Sequence, residues 1–140
     1  QRYRFENRTE LFNPSFIMVQ GQSMEGIVVG GNIRCFLKLA GTKYFPDLRN
    51  KLLLLEAYRG KVPQITTYLA QLKQMGAFEQ IKGIILGTFT EMEENNCVPD
   101  IVTLVKEFAG GEILIAKTQE IGHGSDSKAI IIGERLIIKS

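Results

Sequence analysis

The sequence contains one histidine, His123, set between glycines as Gly122-His123-Gly124. Glycine on both sides permits backbone angles that other residues resist and leaves the ring uncrowded. An imidazole that titrates near neutrality is suited to moving protons at physiological pH. The same tripeptide is also ordinary turn chemistry. A second candidate is Glu56, which directly follows the uninterrupted run Leu52 to Leu55. Strand ends are where α/β folds present catalytic groups, although most carboxylates at such points simply mark where a strand meets solvent. A base and a carboxylate are two parts of a nucleophilic device, and the third is a hydroxyl or thiol for the base to activate.

That third part is hard to find. Gly21-Gln22-Ser23-Met24-Glu25 departs from a G-x-S-x-G elbow at its last position, and no strained strand-to-helix turn is predicted there. Ser125 and Ser127 follow His123 closely, where short hydroxyls tend to bond local backbone. Cys35 falls in a predicted helix with nothing to generate a thiolate. Cys35 and Cys97 therefore read as two reduced thiols in or near the core, a weak pointer to the cytoplasm. The run Gly26-Ile27-Val28-Val29-Gly30-Gly31-Asn32 lacks both G-x-G-x-x-G spacing and a following Lys-Ser or Lys-Thr, so close backbone packing explains its glycines better than phosphate binding. A base and a carboxylate without a nucleophile imply a triad with one member outside this chain.

The elements that must position these groups follow from periodicity. Phe16 to Gln20 and Gly26 to Val29 read as strands separated by a turn at Gly21-Gln22-Ser23, with Gly30-Gly31-Asn32 ending the second. Asn32 is placed to cap a short helix whose apolar positions are Ile33, Phe36, Leu37 and Ala40, with Gly41 as its stop. Leu52 to Leu55, Ile84 to Leu86 and Ile113 to Ala116 have the continuous apolar character of strands covered on both faces. Ile65, Leu69, Leu72 and Met75 line one face of a helix from Pro63 to Gly76. Pro99 at a first helical position precedes Ile101, Leu104, Val105 and Phe108. The segment from Ala129 to Ile138 carries two apolar runs around Gly133-Glu134, which predicts a closing hairpin. Intermixed strands and helices make a mixed α/β domain.

At 140 residues and 44% hydrophobic, the chain has material for one core. It opens at Gln1 without the features of a signal peptide, so it is expected to begin inside a longer protein, with residues 1–15 as an arm or linker remnant and 16–140 as the domain. Seventeen basic and fifteen acidic residues are scattered, and this argues against a nucleic-acid partner. No apolar run approaches membrane-spanning length, and a single histidine with two distant cysteines makes a metal site improbable, so neither metal nor cofactor is expected.

Five segments, G-I-V-V-G-G-N-I, L-A-G-T-K-Y-F-P-D-L, L-L-L-L-E-A-Y, I-K-G-I-I-L-G-T-F-T and I-G-H-G-S-D-S-K-A-I-I-I-G, resemble in order and spacing the C-terminal domain of the LD-carboxypeptidases. These serine peptidases include muramoyl-tetrapeptide carboxypeptidases and microcin C self-immunity hydrolases. The resemblance implies a domain of swivelling β/β/α type that supplies the glutamate and histidine of a Ser-His-Glu triad, with Glu56 and His123 in those places, 67 positions apart. Its partner would be an N-terminal domain carrying the serine in a Gly-x-Ser-Asp turn, which this chain lacks, so the chain alone is expected to be inactive. The implied substrates are peptides or peptide-like amides cleaved near a terminal carboxylate, such as recycled murein tetrapeptides, and family members often form homodimers. A non-catalytic binding module of the same fold is the competing expectation.

Overall fold

The computed structural model describes residues 14–123 and 127–140; residues 1–13 of the arm expected over 1–15, and Gly124 and Ser125, lie outside them. Six strands, β1 (Ile17–Gln20), β2 (Ser23–Asn32), β3 (Leu52–Ala57), β4 (Gly83–Phe89), β5 (Leu114–Lys117) and β6 (Arg135–Lys139), form one sheet in the order β1-β5-β4-β3-β2-β6. The inner strands β2 to β5 run parallel, while β1 and β6 close the edges antiparallel. Among the described residues, five helices accompany them: α1 (Ile33–Leu37), α2 (Val62–Gln74), α3 (Ala77–Gln80), α4 (Thr90–Glu94) and α5 (Ile101–Ala109).

Because the parallel strands advance through the sheet in chain order, right-handed crossovers place the connecting helices on one face. The unbroken leucine run of β3 serves both sides. Leu53 and Leu55 join the core under the helices with Ile65, Leu69 and Leu72, while Leu52 and Leu54 point into a second cluster with Met24, Val28, Ile85, Ala116 and Ile138. Full burial of each leucine contributes about 1.5–3 kcal/mol. The second face is covered by the sheet itself. Gln20 and Ser23 are joined by three peptide units that reach at most ~11 Å, whereas β1 and β2 would lie ~19 Å apart across four strand spacings of a flat sheet. The sheet therefore curls, and the first half of β2 with β6 folds over Leu52 and Leu54.

Asn32 caps α1 as expected, its Oδ1 accepting from Cys35 N at 3.1 Å, although regular helix ends at Leu37 and β2 continues through Gly30-Gly31 to Asn32. Gly30 (φ +110°) packs its backbone where a Cβ would meet Leu54 O at 2.2 Å, which accounts for that glycine without a ligand. Three expectations are corrected. The predicted closing hairpin does not form: β6 pairs with β2, and Gly133 N and Glu134 O bond to Val28 O and N, so the segment before β6 has no strand partner of its own. Asp100, not Pro99, starts α5, because its side chain accepts from Thr103 N at 2.8 Å and leaves the proline one position outside. Cys35 is exposed, since the inward face of α1 is taken by Ile33, Phe36 and Leu37; Cys97 does pack against the helical core. Among the described residues, no helix is long and apolar enough to cross a membrane.

Candidate active site

Glu56 occupies the last turn of the pleat in β3. Leu55 and Ala57 face the helices, so the alternation of the strand turns Glu56 toward the curled face, at the carboxyl ends of the parallel strands. Opposite it, the ladder slips: Leu55 pairs with Leu86 and Ala57 with Phe89, so Gly87 and Thr88 of β4 together oppose Glu56. This β-bulge keeps Phe89 in the helical core and puts two consecutive residues beside the carboxylate.

The loop after β5 is laid onto that bulge. Thr118 N donates to Leu86 O (2.9 Å), Thr88 N donates to Ile121 O (2.8 Å), and the buried Ile121 side chain anchors the loop in the second core. Two glycines make the approach possible. A Cβ on Gly87 would lie 2.5 Å from Ile121 O and 3.0 Å from Glu56 Cβ, and one on Gly122 (φ +143°) would lie 1.8 Å from Thr88 Oγ1. The two ends of the loop are clasped by Glu120, whose carbonyl accepts from Lys128 N and whose carboxylate contacts Lys128 Nζ at 3.1 Å. Glu120 Oε2 also accepts from Ser15 N (2.9 Å), and this backbone donor, followed by Lys128, holds the Glu120 carboxyl below the usual carboxylate range.

The outcome is that His123 Nδ1 lies 3.4 Å from Glu56 Oε2. The carboxylate side chain is 12% exposed and the imidazole 45%, so the ring stands between a covered partner and solvent. Glu56 Oε2 is buried and makes no well-aligned hydrogen bond; long contacts of this kind tighten when an active site fills. Tyr58 flanks the ring, its centroid 4.9 Å away at 44°. Chemically, a carboxylate facing Nδ1 fixes the tautomer and leaves Nε2 to exchange protons with a third group.

The other sequence candidates fall elsewhere. Ser23 begins β2, nine residues before the Asn32 that pairs with Glu56, or roughly 30 Å along an extended strand. Ser127 donates its hydroxyl to Gly122 O at 2.8 Å, bracing the loop. Sequence reasoning missed the Gly87-Thr88 bulge and Tyr58; a glycine inside an apolar strand run was the available signal for the first.

A family model described as the LD-carboxypeptidase C-terminal domain matches residues 25–138. A probable murein peptide carboxypeptidase of Bacillus subtilis is 32% identical over 137 residues, covering 91% of this chain and 40% of its own length. Among solved structures, the microcin C7 self-immunity protein MccF in complex with glutamyl sulfamoyl guanosine superposes with a TM-score of 0.77 at 21% identity, over 91% of this chain and 39% of that one. The muramoyltetrapeptide carboxypeptidase of Oxalobacter formigenes does so with a TM-score of 0.73 at 22% identity, over 96% and 49%. The chain thus spans between 25% and 40% of the length of the curated relatives it matches. With 114 consecutive positions under the family model and a shared fold, the chain belongs to the LD-carboxypeptidase family, as its C-terminal domain.

Proposed function

We propose that this domain supplies the base and the orienting carboxylate of a serine carboxypeptidase, with the nucleophilic serine and the oxyanion donors on an N-terminal domain outside this chain. The observation that carries the reading is the 3.4 Å approach of His123 Nδ1 to Glu56 Oε2 at the carboxyl ends of the strands. His123 Nε2 takes the serine's proton as the hydroxyl attacks the scissile carbonyl and returns it to the leaving amine. Glu56 holds Nδ1–H and stabilises the imidazolium formed between those steps. Residues 16–140 act as one domain in this arrangement, and the chain alone has no turnover.

The substrate class follows the relatives: an L,D-peptide such as a murein tetrapeptide, which the name of the Bacillus subtilis relative supports. An aminoacyl nucleotide amide is the second reading, supported by the MccF complex with a sulfamoyl nucleotide. Turnover of the full-length protein on an L,D-tetrapeptide and on an aminoacyl-adenylate analogue separates the two. In either case His123→Ala is expected to lower kcat by several powers of ten. A kcat within a few-fold of wild type would remove His123 from catalysis, and absence of any hydrolysis by the wild type on both substrates would favour a non-catalytic binding module.

A further inference from the structure

A cavity of about 610 Å³ lies on the helical side of the sheet between α4 and the start of α5, and its wall includes a partly buried ion pair that the chemistry above does not use. Lys117, the last residue of β5, is 14% exposed at its side chain; its Nζ lies 2.9 Å from Glu93 Oε1 of α4 and donates to Gly87 O at 2.8 Å. We propose that the Lys117–Glu93 pair is a positioning device for the Glu56–His123 pair, pinning the β4 bulge from the face opposite the imidazole.

The argument runs through Gly87. A bulge disrupts its ladder locally and re-aims neighbouring side chains, and here it opposes Glu56, whose side chain meets His123. The peptide groups of the bulge are claimed from both faces: Gly87 O by the Lys117 ammonium and, one residue on, Thr88 N by Ile121 O of the histidine loop. Gly87 itself touches Glu56 Cβ and Ile121 O so closely that no Cβ fits. Any rotation of the Gly87-Thr88 peptide therefore shifts the carboxylate's neighbour and the loop's anchor together. Lys117 holds that peptide with a charge-assisted bond, and Glu93 keeps the ammonium in place. Met92 and Ile101, both buried, back α4 and α5 around the pair, so Glu93 is carried on a fixed support.

This inference rests on the roles proposed for Glu56 and His123, and its test is chosen to be separable from them. The single histidine makes imidazole nitrogen resonances of the 140-residue chain unambiguous. The neutral ring should be held with its proton on Nδ1, facing Glu56. Lys117→Met keeps the stem but removes both bonds, and it is expected to shift the ring toward the Nε2–H tautomer. In the full-length enzyme it should lower kcat by about 10- to 100-fold with KM changed by no more than about twofold, because a misplacement near 1 Å has that effect. Glu93→Gln, which keeps the volume and one acceptor, should move both readouts in the same direction by a smaller step and accelerate hydrogen exchange at the Thr88 amide. Unchanged tautomer and kcat in a folded Lys117→Met protein overturn the proposal. Should that variant fail to fold, unchanged tautomer and Thr88 exchange in Glu93→Gln overturn it equally. A tautomer that responds to Lys117→Met while His123→Ala retains turnover upholds the positioning device and sinks the hydrolase reading instead.

Discussion

Replacing Gly87 by alanine adds one methyl group at the point where β4, Glu56 and the histidine loop meet, and its effect can be worked from distances. The new carbon would sit 2.5 Å from Ile121 O and 3.0 Å from Glu56 Cβ. Carbon and carbonyl oxygen settle at about 3.3 Å or more, so the loop must retreat by about 0.8 Å. That carries His123 Nδ1 from 3.4 Å to about 4 Å from Glu56 Oε2, outside hydrogen-bond range. Overpacking costs about 1–3 kcal/mol and the weakened Thr88 N to Ile121 O bond about 1 kcal/mol more. Against a domain stability of about 5–15 kcal/mol the fold survives. Activity is the sensitive readout: kcat of the full-length enzyme on its best peptide should fall on the order of 100-fold, with thermal unfolding still cooperative. A Gly87→Ala enzyme with wild-type kcat would show that the bulge does not set the distance between carboxylate and imidazole.

Two further outcomes are expected. Asp100→Ala removes the cap of α5 and should cost about 1 kcal/mol at neutral pH by urea unfolding. The backbone N–H of Thr103 holds the Asp100 carboxyl below its ordinary 3.8, so the stabilisation is complete above that value and is lost as pH falls through the lower folded-state value; the gap between variant and wild type must close in acid. Thiol titration should be biphasic, with exposed Cys35 reacting before Cys97, which packs on the helical core, and Cys35→Ser should abolish the fast phase.

Strands covered on both faces were legible because composition alone marks them: four leucines in a row leave no side for water, and β3 buries all four. Helix α2 was equally plain from Ile65, Leu69 and Leu72. The C-terminal hairpin failed for a physical reason. Local patterning tells which residues favour extended backbone, but β6 is claimed by Ser23 to Ile27, far away in the chain, and no local signal encodes that pairing. Glu56 stood out as the charge that ends an apolar run and His123 as a histidine between glycines. Their juxtaposition depends on a bulge and a loop staple made by backbone atoms, which side-chain patterns do not report; family resemblance, not spacing, joined the two residues.

The order of the sheet also dictates the timing of assembly. Strands β2, β3, β4 and β5 stack in the order in which they leave the ribosome, so each can add to a neighbour already made. The closing edge is different, since Arg135 meets Glu25 across 110 residues, and such distant pairings are slow to form. A growing chain consequently presents its acidic residue long before the ring that faces it, and the pair comes together only as synthesis of this segment nears completion.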